Sequence, residues 1–249
     1  MLTSIAVDTH THTVISGHAW STLAENAKAA AERGLYGLCL TEHGPDIPGG
    51  GVDYIPAAQV MLPEVIEGVR IYRGTEANIT NFDGVIDIET RFINRTEFAI
   101  ASLHDIVMKP GNSQQNTGAL LAALNHPFID MLGHIDDAKV PSDHEAIIAE
   151  AKKLNKLIEI NNNSLLVRRG SDENIRKISH ICARVGVRVS VSSDAHFATM
   201  IGAVEPALKL LAEENFPDEL IVNRSAETFE GYLSERVARL KTSNSIRKK

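Results

Sequence analysis

Histidines and single carboxylates recur about every 30 residues along this chain, each at the end of a short apolar run: His10, His43, Glu76, His104, His134 and Asp194, with the amide Asn161 in the same series. Three more histidines stand beside them. His12 lies two residues past His10, His18 six beyond that, and His196 two past Asp194. Residues i and i+2 of an extended segment project to one side, so His10-x-His12 and Asp194-x-His196 can each present two donors to one point. Imidazole and carboxylate without thiolate suit zinc, manganese or iron. Taken singly, each histidine reads as an ordinary hydrogen-bonded or surface group. The regular placement of seven of the ten histidines is what chance does not account for. The other three, His126 before a proline, His144 at a helix start and His180 inside a helix, read as structural. Nine donors exceed what one ion needs and suit three divalent ions if one carboxylate bridges. Such a cavity is strongly positive and attracts phosphate.

The segments that must position these donors alternate between strand and helix. The strand candidates are 5–7, 37–40, 69–72, 98–101, 131–133, 157–160 and 187–191, all short and rich in β-branched or apolar residues. Between them, Thr22-x-x-Glu25 reads as a capping box for a helix that closes near Gly34. Ser142-x-x-Glu145 reads as another helix start, and Ser171-Asp172 opens a helix ending at Gly186. Seven strand–helix repeats mean parallel strands with helical crossovers, either a doubly wound sheet or a barrel. In both, functional residues gather beyond the carboxyl ends of the strands, which is where the donors fall.

Composition bounds the alternatives. The 249 residues carry 25 Lys+Arg against 32 Asp+Glu, a net charge of −7, which argues against a protein that coats nucleic acid. The one basic run, Arg247-Lys248-Lys249, reads as a solvated tail. No stretch is long and apolar enough for a membrane span, the first residues lack a signal-peptide pattern, and Cys39 and Cys182 are too far apart for a thiolate metal module. A single domain over residues 1–249, cytoplasmic and binding a small substrate, is expected; the chain leaves its oligomeric state open.

The ordered set His10-x-His12-x5-His18, Thr41-Glu42-His43, Glu76, His104, His134 and Ser193-Asp194-Ala195-His196 resembles the PHP (polymerase and histidinol phosphatase) domain. The length, with Glu159-Ile160-Asn161-Asn162 and the Arg168-Arg169-Gly170-Ser171 turn, is most similar to its YcdX-like phosphatase branch. The resemblance spans about residues 4–240 and matches all nine donor positions. It implies an α/β fold, a distorted (βα)7 TIM-like barrel, with three metals at the open face, most often zinc. It also implies a partition of the donors: His10, His12, Glu76 and Asp194 for one ion, His18, His43 and His196 for a second, and His104 and His134 with bridging Glu76 for the third.

Metal-assisted hydrolysis of a phosphate monoester follows from that inventory, with metal-bound hydroxide as the nucleophile and no protein nucleophile required. Ser192 and Ser193 have no evident base and read as packing or supporting groups; Asp194 reads as a ligand rather than a general base. Arg168, Arg169 and Lys109 fall in loops on the catalytic face, where each could contact phosphate or simply be solvated. Gly49-Gly50-Gly51 and Tyr54 lack the trailing Lys-Ser/Thr of a nucleotide loop and read as a flexible rim. Three other readings compete. A binuclear hydrolase of the TatD or amidohydrolase kind would not call for His18, His43 and His196 together. A PHP-type 3′–5′ exonuclease would want an aromatic and basic groove, which the chain lacks. A binding module with a metal-stabilised fold would have lost ligands. Histidinol phosphate remains a candidate substrate.

Overall fold

The computed structural model describes residues 2–246, so the basic run Arg247-Lys248-Lys249 lies outside the described residues. After β1 (Val7–Thr11) and β2 (Gly37–Leu40) come a two-residue strand, β3 (Val65–Ile66), and a long strand, β4 (Val69–Asn78). Then follow β5 (Phe98–Ser102), β6 (Met131–Leu132), β7 (Leu157–Asn161) and β8 (Val189–Ser192). Every strand but β3 pairs in parallel, in the order β1-β2-β4-β5-β6-β7-β8. The two ends of that row meet through a bridge between Thr11 and Ala195 and a Thr9–Ser190 hydroxyl contact of 2.7 Å. The sheet is thus nearly closed into a seven-stranded barrel, with helices in the crossovers.

The strands depart from the sequence expectation mainly at their ends. β1 begins at Val7 rather than Ile5 and runs on to Thr11, and β4 continues to Asn78, so His10 and Glu76 lie within strands instead of just past them. The antiparallel β3–β4 hairpin was not expected. Its turn places Glu67 and Gly68 at φ of 52° and 79°, the paired positive angles that a tight two-residue hairpin needs. The capping box at Thr22 and Glu25 is present. The helix over His144–Leu154, however, is capped by Asp143, whose carboxylate accepts from Ala146 N, and not by Ser142. The helix Ser171–Val185 closes at Gly186 in the left-handed conformation.

Two apolar layers hold this frame. One lies between the strands and the surrounding helices, and Cys182 packs there. The other fills the amino end of the barrel, where Val7, Cys39, Tyr72, Phe98, Met131 and Leu157 meet Phe229 and Tyr232 of the closing helix Ala226–Ile246. Both cysteines are buried and reduced. The strand period of two then carries the interior face upward: Tyr72, Glu76 and Asn78 share one side of β4, and Leu157, Glu159 and Asn161 one side of β7. The lower half is apolar and the upper half polar. Among the described residues no helix is long and apolar enough to cross a membrane.

Candidate metal centre

All nine donors come together at the carboxyl end of the barrel. Glu76 sits at their middle, fully buried. Its Oε2 lies 2.7 Å from His43 Nδ1, 3.2 Å from His10 Nε2 and 3.5 Å from His12 Nε2. Its Oε1 lies 3.1 Å from His134 Nε2 and 3.3 Å from His104 Nε2. Asp194 Oδ1 approaches His12 Nε2 at 3.3 Å and His10 Nε2 at 3.6 Å. His18, on the loop after β1, brings its Nε2 to 2.9 Å from His196 Nε2. Three groups have donor atoms all within 4.8 Å of one another: His12, His43 and His196; His10, His12 and Glu76; His43, Glu76 and His104.

Backbone irregularities aim several of these side chains. The β1–β2 register shifts between Asp8 and Thr11, a bulge-like break where His10 and His12 enter the interior. His134 and Asp194 adopt positive φ, 30° and 52°, which few non-glycine residues accept without cost. The surrounding hydrogen bonds over-determine both. His134 N donates to Glu159 Oε2 at 2.6 Å, and Asn161 Nδ2 donates to Asp194 Oδ2 at 3.2 Å.

Partners behind the rings decide which nitrogen faces the centre. Glu159 accepts from His10 Nδ1 at 2.6 Å, and Asn78 Oδ1 accepts from His104 Nδ1 at 2.7 Å. Ser16 Oγ accepts from His12 Nδ1 at 3.2 Å while donating its own proton to Glu42. The backbone oxygen of Asp194 accepts from His196 Nδ1 at 3.0 Å. Each ring is thereby held with Nδ1 protonated, which leaves the Nε2 lone pair pointing inward. His10 Nε2, His12 Nε2, both nitrogens of His43 and Glu76 Oε2 are buried without a hydrogen-bond partner. That concentration of buried polar atoms without partners is costly unless a cation takes up their lone pairs.

The charge states fit the same picture. Burial, then the neighbouring His43 and His196, holds His12 well below the ordinary imidazole pKa. Burial likewise lowers His43 to about 4, against the pull of Glu76. Burial opposes the charges on Glu76 and Asp194, but the surrounding histidines, His10 foremost, win and keep both carboxyls well below their usual range. For His10 burial is outweighed by Glu159, Glu76 and Asp194, which raise its pKa well above ordinary. His10 Nε2 therefore sits where positive charge is wanted, and a proton and a metal cation compete for it.

Sequence reasoning did not single out Glu159, Asn78, Ser16 or Glu42 for these roles. The signal was available for two of them: Glu159 lies two residues before Asn161 and Asn78 two after Glu76, on the same faces of their strands. Ser192 and Ser193 support carboxylates, Ser192 Oγ donating to Glu159 and Ser193 Oγ to Asp8. Of the three cations considered, Arg168 reaches the centre, with Nη1 3.6 Å from Asp194 Oδ2 and 2.9 Å from Ser164 Oγ. Arg169 lines an adjoining cleft, and Lys109 is exposed and lines neither cleft at this face. At the glycine-rich rim, Gly17, at φ 75°, lies so close to Gly49 that a side-chain carbon there would meet the Gly49 carbonyl oxygen at 1.9 Å. His144 Nε2 bonds the Ile135 carbonyl and His180 pairs with Glu214.

The PHP domain family profile matches residues 8–165. A probable phosphatase of Caldanaerobacter subterraneus subsp. tengcongensis is 42% identical over 238 residues, covering 95% of this chain and 94% of that protein. One from Caldicellulosiruptor saccharolyticus is 42% identical over 229 residues, covering 92% and 96%. Among solved structures, the histidinol phosphate phosphatase of Lactococcus lactis, complexed with zinc, L-histidinol and phosphate, superimposes with a TM-score of 0.59 at 18% identity, over 87% of this chain and 95% of that one. The histidinol phosphatase assigned in Listeria monocytogenes gives 0.56 at 17% identity, over 79% and 97%. The structural likeness speaks for the barrel, and the profile and relatives speak for more: this chain belongs to the PHP domain family.

Proposed function

We propose that this protein is a metal-dependent phosphatase that hydrolyses small phosphate monoesters at the carboxyl end of its barrel. One observation carries the reading: buried Nε2 lone pairs of His10 and His12 converge with an unpartnered Glu76 Oε2, each ring oriented from behind. The phosphatase names of relatives over 90% of the chain support the substrate class. In the finer form, His10, His12, Glu76 and Asp194 would hold one ion, His18, His43 and His196 a second, and His104 and His134 with Glu76 a third. When bound there, divalent cations, zinc first and manganese or iron otherwise, would offset phosphate charge and bring the pKa of a water toward 7.

The chain's own groups do the rest. Arg168 presents a planar guanidinium at the edge of the donors, suited to the phosphate oxygens. Asn161 and Arg168 hold Asp194, and Glu159 holds both His10 and His134, so the donors need not reorganise when substrate binds. The serines beside the donors, Ser16, Ser192 and Ser193, spend their protons on Glu42, Glu159 and Asp8, carboxylates that brace the site, which favours water as the attacking group.

Metal analysis by inductively coupled plasma mass spectrometry, on protein purified without chelator, tests this alongside hydrolysis of p-nitrophenyl phosphate. About three transition-metal equivalents with chelator-sensitive turnover supports the reading. No bound metal and no turnover after added zinc or manganese overturns it. The sharing of His12 and His43 between donor groups favours, as a second reading, a two-ion centre; a content of about two equivalents with full activity selects it.

A further inference from the structure

Two adjoining clefts reach the donors, and they differ in chemistry. The first, about 300 Å³, opens over His18, His43, His196 and Asp194, and Ile47, Pro48 and Ile106 form an apolar wall. The second, about 370 Å³, reaches the cluster from the other side, at His104 and His134. Its walls carry Lys139, Arg168 and Arg169 against Asp105 and Asp137. His104, Asp105 and Arg168 border both.

Three cations line the second cleft against two carboxylates, and Arg168 is shared between Asp137 and Asp194 of the donor set. Asp137 Oδ2 lies 3.7 Å from Arg168 Nε, and Asp105 Oδ2 lies 2.7 Å from Lys139 Nζ. The Lys139 pair is open to water, its side chains 70% and 47% exposed, so a ligand can take the ammonium from Asp105 at little cost. No ion pair involving Arg169 is found among the described residues. A chain with net charge −7 therefore gathers three cations on the loops after β6 and β7, beside the metal centre and away from where the reacting phosphate would face His18, His43 and His196. Guanidinium and ammonium groups converging on a cleft of this size suit an oxyanion.

We infer that the substrate carries a second anionic group, a phosphate or a carboxylate, bound by Lys139 and Arg169 while the ester phosphate occupies the metal side beside Arg168. This rests on the phosphatase reading and deepens it. The test uses the metal-loaded protein and one carbon skeleton: 3-hydroxypropyl phosphate, 3-phosphooxypropanoate and propane-1,3-diyl bisphosphate, with p-nitrophenyl phosphate as the reference. The expected kcat/KM is about tenfold or more higher for one or both doubly anionic esters than for the singly anionic one. Which of the two leads identifies the second group as carboxylate or phosphate. Lys139→Ala and Arg169→Glu should each pull that ratio toward one, chiefly through KM. Turnover of p-nitrophenyl phosphate with no preference among the esters overturns the inference and leaves the phosphatase reading standing. So does a preference that neither variant changes. Absence of turnover on all four compounds overturns both.

Discussion

At the amino end of the barrel, the buried carboxylate of Asp130 is answered by the fold. Asp130 has no solvent exposure, yet its Oδ2 accepts from Arg236 Nε at 2.7 Å and Ala99 N at 3.0 Å, and its Oδ1 from Arg239 Nη2 at 2.7 Å. Lys156 is buried beside it and donates its ammonium to the carbonyls of Leu124 and His126 at 2.5 and 2.7 Å. At the carboxyl end, an equally buried set of histidines and carboxylates leaves lone pairs unanswered. The two ends share a barrel and a degree of burial, and differ in whether the partners are supplied from within. Polar groups that the chain itself satisfies lock an element in place, here the closing helix Ala226–Ile246. Polar groups that it leaves open await something from outside.

Substitutions at each end test that contrast, and the largest effect is expected at its centre. Glu76→Ala should abolish most bound metal and lower kcat by about a thousandfold or more, while denaturant unfolding of the chelated protein stays close to wild type or improves, because a buried charge is removed. A large loss of apo stability would place Glu76 with the structural charges instead. Asp130→Ala is the mirror experiment. It should cost about 3–5 kcal/mol in urea unfolding by stranding Arg236 and Arg239, with kcat per folded molecule unchanged.

Glu159→Gln separates orientation from ligation. Glutamine cannot accept as a carboxylate does from His10 Nδ1 and His134 N, so metal affinity should fall by about 10–100-fold with the fold intact. Equal metal affinity in competition with a chelating dye would remove Glu159 from the centre. Arg168→Ala should raise KM by about tenfold with metal content unchanged; unaltered kinetics would leave Arg168 without a substrate contact.

The smallest effect is a pH slope at the structural end. Burial lowers Lys156 to about 7, against the pull of Asp130. The unfolded chain therefore binds the extra proton between pH 7 and about 10.4, and stability of the chelated protein should rise with pH above 7, by less than about 1.4 kcal/mol per unit from this group. Lys156→Met should flatten that rise. Parallel pH profiles for the two proteins would show that Lys156 stays charged.

Much of this was legible before folding. Alternation of short strands with capped helices gives a parallel architecture, and donor residues about every 30 residues place the site at the strand ends. The resemblance, rather than periodicity, distinguished seven strands from eight. The β3–β4 hairpin escaped because Val65–Ile66 is too short to show a period, and the Asp143 cap because Ser142 offers an equally good local pattern. Both are local ambiguities that neighbouring packing settles.

The identity and order of the donors belong to the sequence alone, since residue type fixes ligand chemistry and strand spacing fixes which end of the barrel receives it. The same holds for the interior faces of β4 and β7, because alternation is a property of the extended backbone. Tertiary structure decided what no spacing encodes. Glu159 meets His10 across 149 residues, the break in β1 turns two histidines inward, and Arg168 falls between two clefts while Lys109 lies outside both. These depend on contacts between strands remote in the chain and on where loops close over them, so the tautomer of each ring and the shape of the substrate's space emerge only when the barrel nearly closes.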